Sequence, residues 1–431
     1  MIRRDFFKYS LFAASILTTT KINAYLINEN IKKSKIVICG GGFSGLTCAK
    51  RLKQLDKNLD VTLIEKNENF SSCPFSNLWI GDVKNISYED LNYDYYKTVE
   101  KNRFNFINET IIKIDKDKKL VYTTENIIKY DYLILALGIQ YNYKKILKDE
   151  NKIKKCKVQT PAALIPGNEH LALKRIVKNF NSGNFIISIP NGAYRCPPGP
   201  YERACMIANY FQTHKIDAKV IILDPRDKPA AKPYKFLKAF KQFYKNTIIY
   251  KPYSSFKDID FEKKEIIYKN FDEKELEYLD KKISFEQANI IPPNEANSLI
   301  KNSGFAVNES GWARLKKPTF RSISDDRVYI LGDAQGEYAF AKSAQMANSC
   351  GYIVAEEIIS RLKKQKFDYK NNMPGNVCYS MVNKNEAVSI THSYEYTNTF
   401  IANYEISDIS KDVADAAKAW YFGMINEILE I

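Results

Sequence analysis

Histidine is nearly absent from this chain: 431 residues contain three. The eight cysteines include no C-x-x-C pair and no C-x-x-C-H. These shortages exclude a zinc centre of the usual Cys/His spacing and a haem attached to this polypeptide. No uninterrupted apolar run approaches the roughly 18 residues that a spanning helix needs, so none is expected. Acidic residues are in deficit, 50 against 65 lysines and arginines, for a net charge of +15. Such an excess suits nucleic acid, an anionic membrane or an acidic partner. Here Lys, Asn, Ile and Tyr are frequent throughout, with no dense arginine tract and no nucleic-acid reader motif. The excess therefore reads as compositional bias, and nucleic acid is not an expected partner. Apolar residues are not scarce. At 45% they support cores for about two to four domains.

Residues 1–24 read MIRRDFFKYSLFAASILTTTKINA. Arg3-Arg4 precede Phe6-Phe7 and Lys8, an apolar stretch follows from Leu11 to Leu17, and small residues lead to Ala24. That order is the layout of a twin-arginine export signal. An amphipathic first helix is the other reading. Export of an already folded chain suits a protein that takes up its cofactor in the cytoplasm. It predicts a periplasmic mature protein, in a compartment where disulfides persist.

An apolar run at 35–38 leads into Gly40-Gly41-Gly42-Phe43-Ser44-Gly45, then a helical pattern LTCAKRLKQL, then a second apolar run at 61–64 ending at Glu65. Strand, G-x-G-x-x-G, helix, strand and acid in this order form a dinucleotide-binding unit. Gly40 permits the tight turn, Gly42 lets a pyrophosphate approach the backbone, and Gly45 lets the helix pack on the strand. Ser44 lies in the same turn, at a helix N-terminus that faces the phosphates. Glu65 accepts from a ribose hydroxyl. Cys39 and Cys48 read as small core residues.

Two later segments select FAD over NAD for this unit. Tyr130-Asp131-Tyr132-Leu133-Ile134-Leu135-Ala136-Leu137-Gly138 is a buried strand ending in glycine. Arg327-Val328-Tyr329-Ile330-Leu331-Gly332-Asp333-Ala334 is another, ending in Gly-Asp before a predicted helix. Both resemble recurrent segments of glutathione-reductase-like flavoproteins. The resemblance places Gly138 and Gly332 at the flavin and Asp333 on its ribityl chain. The helix N-terminus would face the charge of the reduced flavin.

A second unit of the same layout follows. Phe185-Ile186-Ile187-Ser188-Ile189 reads as a strand, 201–212 as a helix and 219–224 as a strand ending in Asp224. Its connecting loop is Pro190-Asn191-Gly192-Ala193-Tyr194-Arg195-Cys196-Pro197-Pro198-Gly199-Pro200. Four prolines remove backbone donors, and the spaced glycines that admit a pyrophosphate are missing. No NAD is expected here. The loop instead presents Cys196 just before a helix N-terminus that favours a thiolate.

With these segments in hand, the chain resembles the flavoprotein subunit of flavocytochrome c sulfide dehydrogenase, from about residue 35 to the C-terminus. The marks are the run Arg195–Arg203 (RCPPGPYER), Ser72-Cys73-Pro74-Phe75-Ser76-Asn77 and Val377-Cys378-Tyr379-Ser380, with Ile291-Pro292-Pro293 and Trp420-Tyr421 in support. The resemblance implies FAD bonded covalently through Cys73, for which an incidental cysteine is the alternative. It implies that Cys196 and Cys378 form a redox disulfide over the flavin, for which a purely structural bridge is the alternative. Sequence alone does not pair these two. Hydrosulfide would open the disulfide by exchange, leaving a persulfide, and the released thiolate would pass two electrons to the flavin. Glu202 is implied as base or electrostatic partner, and is equally readable as a helix N-terminal carboxylate held by the dipole. Lys342 is placed near the flavin pyrimidine ring. Residues 335–340 (QGEYAF) depart from the family pattern.

From Asp412 onward, Val413, Ala416, Ala417, Trp420, Tyr421, Met424 and Ile428 recur at helical spacing. Core packing, a membrane-surface anchor and a partner-binding face all fit such a stripe. The family resemblance places Trp420 between the flavin and the haem of a c-type cytochrome subunit, so any haem belongs to a separate polypeptide. The expected architecture is α/β, with two Rossmann-like dinucleotide-binding domains and a C-terminal α+β interface domain. Residues 34–145 and 285–360 form a discontinuous FAD-binding domain, 146–284 the second Rossmann-like domain, and 361–431 the interface domain. The expected activity is periplasmic oxidation of sulfide to sulfur or polysulfide, with a c-type cytochrome as electron acceptor. A sulfide:quinone oxidoreductase is the nearest alternative, and a non-catalytic flavoprotein subunit the other.

Overall fold

The computed structural model describes residues 34–397 and 399–431. The expected export signal lies outside the described residues. The first sheet has six strands in the order Arg321–Ser322, Asp325–Ile330, Tyr132–Leu135, Lys35–Cys39, Asp60–Ile64, Asn105–Ile107. All neighbours are parallel except the first pair. A parallel sheet is covered on both faces, so its strands are apolar throughout rather than alternating. Ile36, Val37, Ile38 and Cys39 are accordingly all buried, as is Cys48 on the first helix. That helix, Phe43–Leu55, packs against Ala344–Leu362. Gly45 makes the tight turn possible, because a Cβ there would lie 1.9 Å from the Gly40 carbonyl oxygen.

The second sheet is wholly parallel, in the order Ile248–Lys251, Asp217–Leu223, Ser182–Ser188, Gln287–Ile290. Gln287–Ile290 pairs with Ser182–Ser188, so the chain returns to the FAD domain after residue 290 rather than at 285. The short strand Asn294–Ala296, paired with Ile139–Tyr141, makes that return. The C-terminal part is a three-stranded antiparallel sheet, Asn376–Met381, Ala387–Tyr396 and Phe400–Ile406, backed by the helix Lys411–Leu429. The fold is thus the expected α/β architecture with two Rossmann-like sheets.

Two local expectations change. No helix follows Asp333 directly. Gly332–Ala334 is a single 3-10 turn, and the long helix starts only at Ala344. The intervening Tyr338 and Phe340 stack on each other and pack against Phe320, Tyr394 and Phe400, which draws the segment away from a helical path. In the C-terminal helix the buried face is Ala414, Ala417, Tyr421, Met424, Ile425, Ile428 and Leu429, while Ala416 is exposed and Val413 and Trp420 are half-buried. The stripe is core packing, rotated from the expected set. Among the described residues no helix is long and apolar enough to cross a membrane.

Candidate functional site

The glycine turn opens a cleft above the C-terminal edge of the first sheet. A Cβ on Gly42 would meet nothing within 4 Å, whereas Gly40 and Gly45 are closely packed. The Glu65 carboxylate accepts from Gly41 N at 2.8 Å, which places an acid beside the turn, where a ribose would lie. The cleft is lined further along by Ser44, Gly138, Gly332, Asp333 and Lys342 and by Cys73, Cys196, Glu202, Cys378 and Trp420. A cradle open at Gly42, an acid at the ribose position and a second carboxylate further along fit a dinucleotide. These residues would hold FAD: Gly40, Gly42, Ser44, Gly45 and Glu65 at the adenosine and phosphate end, Gly138, Gly332, Asp333 and Lys342 at the flavin end.

Asp333 is not free in this cleft. Its Oδ2 accepts from Arg195 Nε at 2.6 Å, and Arg195 also donates to the Leu164 carbonyl at 3.1 Å. Lys342 Nζ donates to the carbonyls of Asp333 and Gln335 at 2.7 and 2.6 Å and lies 3.7 Å from the centre of the Trp312 ring. Burial pulls its pKa down to about 8, against the attraction of Asp333.

Cys196 sits in the proline-rich loop with φ of 55°, a left-handed conformation unusual for a non-glycine residue. Its amide donates to the Lys342 carbonyl at 2.8 Å. Gly199 makes room for its sulfur, since a Cβ there would lie 2.9 Å from Cys196 Sγ. Cys378 comes from the strand Asn376–Met381. The two are free thiols in the wall of one cleft, each the first influence on the other's proton affinity, so the fold brings together residues 182 positions apart. The neighbouring Cys196 thiol draws the Cys378 thiol down to about 7, with the Lys232 ammonium lowering it further and burial opposing both. Cys196 is pushed up by its Cys378 neighbour and by burial.

Glu202 does not touch either sulfur through a hydrogen bond. Its oxygens accept from Asn77 Nδ2 and Met381 N, each at 2.8 Å, which ties the Cys73 loop, the helix Gly199–Thr213 and the Cys378 strand together. Burial raises its pKa. Asn77 accepts from Arg203 Nε at 3.0 Å, and the fully buried Arg203 reaches Ala162 O and Asn289 Oδ1 at 2.9 Å. Cys73 lines the cleft and its thiol donates to Leu164 O at 3.6 Å. Its loop is pinned by Phe75, which stacks on Tyr421 at 4.3 Å between centroids. Trp420, next on the same helix, donates to Gln345 Oε1 at 2.8 Å and leans on Tyr379 beside Cys378.

In the second sheet, the acid that would bind a nucleotide ribose is already committed. Asp224 is fully buried and accepts from Tyr201 and Tyr250 hydroxyls at 2.6 and 3.0 Å and from Arg226 Nη1 at 3.2 Å. Arg226 in turn donates to the carbonyls of Pro190 and Gly192, filling the loop where phosphates would approach. A cavity of about 800 Å³ lined by Gly192, Tyr194 and Arg226 also reaches Cys378. Arg195, Asn77 and Arg203 stand inside the quoted motifs without an assigned role in the sequence reading, and Lys232 and Gln345 carry no sequence signal.

Comparison with known proteins fits this geometry. Residues 34–168 match the family model described as pyridine nucleotide-disulphide oxidoreductase, and residues 170–292 the one described as sulfide dehydrogenase [flavocytochrome c] flavoprotein chain, central. The mitochondrial sulfide:quinone oxidoreductase of Dictyostelium discoideum is 22% identical over 357 residues, 81% of this chain and 76% of that protein. A type II NADH:quinone oxidoreductase of Staphylococcus epidermidis is 36% identical over 110 residues, covering 25% of this chain and 26% of its own length. The sulfide:quinone oxidoreductase structure from Aquifex aeolicus superposes with a TM-score of 0.70 at 17% identity, covering 92% of each chain. These matches support a flavoprotein of the pyridine nucleotide-disulphide oxidoreductase superfamily over residues 34–292.

Proposed function

We propose that this chain oxidises sulfide through Cys196 and Cys378. The observation that carries the reading is the pair of free thiols in the wall of one cleft shaped for FAD. Oxidised to a disulfide, the pair is opened by hydrosulfide. A new S–S bond forms to the attacked sulfur, the Cys196–Cys378 bond breaks, and the other cysteine leaves as a thiolate. Re-forming the disulfide releases the sulfur at the zero-valent level, as sulfur or polysulfide, together with two electrons and the hydrosulfide proton. FAD, when bound, accepts that electron pair and delivers it to the acceptor. Gly199 leaves room for the Cys196 sulfur, and Glu202 ties the helix that follows Cys196 to the strand that carries Cys378. NAD has no part in this reading, because Asp224 and Arg226 occupy each other. Cys73 is the residue that would bond the flavin covalently.

For the acceptor, quinone is the reading that the full-length relatives support. A c-type cytochrome subunit is the second reading. It is favoured by the sulfide dehydrogenase [flavocytochrome c] model over 170–292, by the twin-arginine layout of residues 1–24, which suits a periplasmic protein, and by Trp420 in the wall of the cleft. The experiment is anaerobic addition of sulfide to the purified holoprotein. Wild type should bleach its flavin, and Cys196→Ser and Cys378→Ser should not. Bleaching by both variants would remove the disulfide mechanism. Re-oxidation by a short-chain quinone or by cytochrome c then separates the two acceptors.

A further inference from the structure

Lys232 belongs to no motif and to none of the chemistry above. It stands at the start of the helix Pro233–Phe243 with φ of 53°, a left-handed conformation that glycine or asparagine adopts more readily. Its side chain is fully buried. Nζ donates to Ser380 Oγ at 2.8 Å and to Val388 O at 3.2 Å. Ser380 lies two residues from Cys378 on one strand, so both side chains leave the same face, with Val388 and Ile390 as their cross-strand neighbours. Lys232 and Cys378 share the wall of the cavity of about 800 Å³. Among the described residues no carboxylate forms an ion pair with this ammonium; the Glu202 oxygens are taken by Asn77 and Met381. A buried cation held only by neutral acceptors is costly unless an anion forms beside it.

We propose that Lys232 is a positioning residue of the cysteine pair, the fixed counter-charge for the anion formed on Cys378 when the disulfide opens. This rests on the disulfide reading above. If hydrosulfide attacks Cys196, the S–S bond breaks and Cys378 leaves as a thiolate. If it attacks Cys378, Cys196 leaves as a thiolate, takes up the hydrosulfide proton, and the persulfide anion is left on Cys378. In both cases negative sulfur appears on the face that Lys232 already occupies. The other ionisable groups facing Cys378 are Cys196 and Glu202, and Glu202 opposes the anion. Lys232 also faces His392, whose protonation it disfavours.

The test is the pH dependence of iodoacetamide alkylation at Cys378 in the reduced holoprotein, read by peptide mass. Lys232→Gln keeps a donor for Ser380 and Val388 and removes the charge; Lys232→Arg keeps the charge. The Gln variant should move the alkylation midpoint upward by about one pH unit, a roughly fivefold loss of thiolate at pH 7 from a midpoint of about 7. The Arg variant should recover most of it. A folded Gln variant with an unmoved midpoint overturns the assignment. Should Lys232 variants fail to fold, Ser380→Ala, which removes one anchor of Nζ, should shift the midpoint in the same direction, and no shift there overturns it equally. The Cys196–Cys378 cross-link is read separately from non-reduced peptides. Its absence removes the sulfide-oxidation reading, whereas its presence with unmoved midpoints removes only the role of Lys232.

Discussion

Arg195 Nε donates to Asp333 Oδ2 at 2.6 Å, joining the proline-rich loop of the second Rossmann-like domain to the carboxylate at the end of the last FAD-domain strand. The carboxylate is 6% exposed and the guanidinium 23%. Removing one partner of a pair this buried leaves the other charge without compensation, which costs more than the pair contributes when intact.

Arg195→Met is therefore expected to destabilise the apoprotein by about 2–4 kcal/mol, and Arg195→Met with Asp333→Asn by clearly less than the sum of the two single changes. Denaturant unfolding of the four proteins measures the coupling. Additive effects would show that the contact carries no energy.

Glu202 gives a sharper test of hydrogen-bond polarity. Asn77 Oδ1 is held by Arg203, so the Asn77 amide cannot flip. In Glu202→Gln, one amide oxygen can still accept from Met381 N, but the new NH2 then faces the Asn77 NH2. The variant should lose about 1–3 kcal/mol despite being isosteric. Asn77→Asp in the same background would return an acceptor to that contact and recover part of the loss. Equal stability of wild type and Glu202→Gln by thermal unfolding would refute this arrangement.

How far the sequence reached follows from contact distance along the chain. The Gly40–Gly45 turn, Glu65 and the two apolar strands were legible because their partners lie within one supersecondary unit. The meeting of Cys196 with Cys378 was implied by family resemblance and not by spacing. Arg195 with Asp333 and Lys232 with Ser380 are separated by 138 and 148 residues, and no local pattern announces them. The helix expected after Asp333 failed for a different reason. Tyr338 and Phe340 are claimed by aromatic stacking against Phe320 and the C-terminal sheet. The C-terminal stripe was rotated because Trp420 counts as apolar by composition while its indole N–H bonds to Gln345 at the cleft.

His170 supplies a pH prediction. It is buried beside Arg203, with its Nε2 3.2 Å from Ala163 O, and burial lowers its pKa from 6.5 to about 3. Between those values the unfolded chain binds a proton that the folded chain refuses, so stability rises with pH across the window and is lost on acidification from 6.5 toward 3. His170 should contribute up to about 1.4 kcal/mol per pH unit to that slope. His170→Gln should flatten the difference in unfolding free energy between pH 7 and pH 5. An identical slope in the variant would mean that this imidazole titrates normally.

Cys73 decides how the flavin is held. Its sulfur lies in the cleft wall, and burial raises its pKa while Arg195 and Arg203 pull it back. The two guanidiniums favour the thiolate that a bond to the flavin ring requires. Phe75 on Tyr421 keeps the loop from swinging out, so the sulfur stays on the cleft side. Acid precipitation of wild-type holoprotein should leave a yellow pellet whose flavin peptide contains Cys73. Cys73→Ala should give a colourless pellet with all FAD in the supernatant, and a protein that loses flavin on dialysis. A colourless wild-type pellet would leave Cys73 as an ordinary cleft thiol, and the cofactor would then be retained only by Glu65, Asp333, Lys342 and the glycine turn.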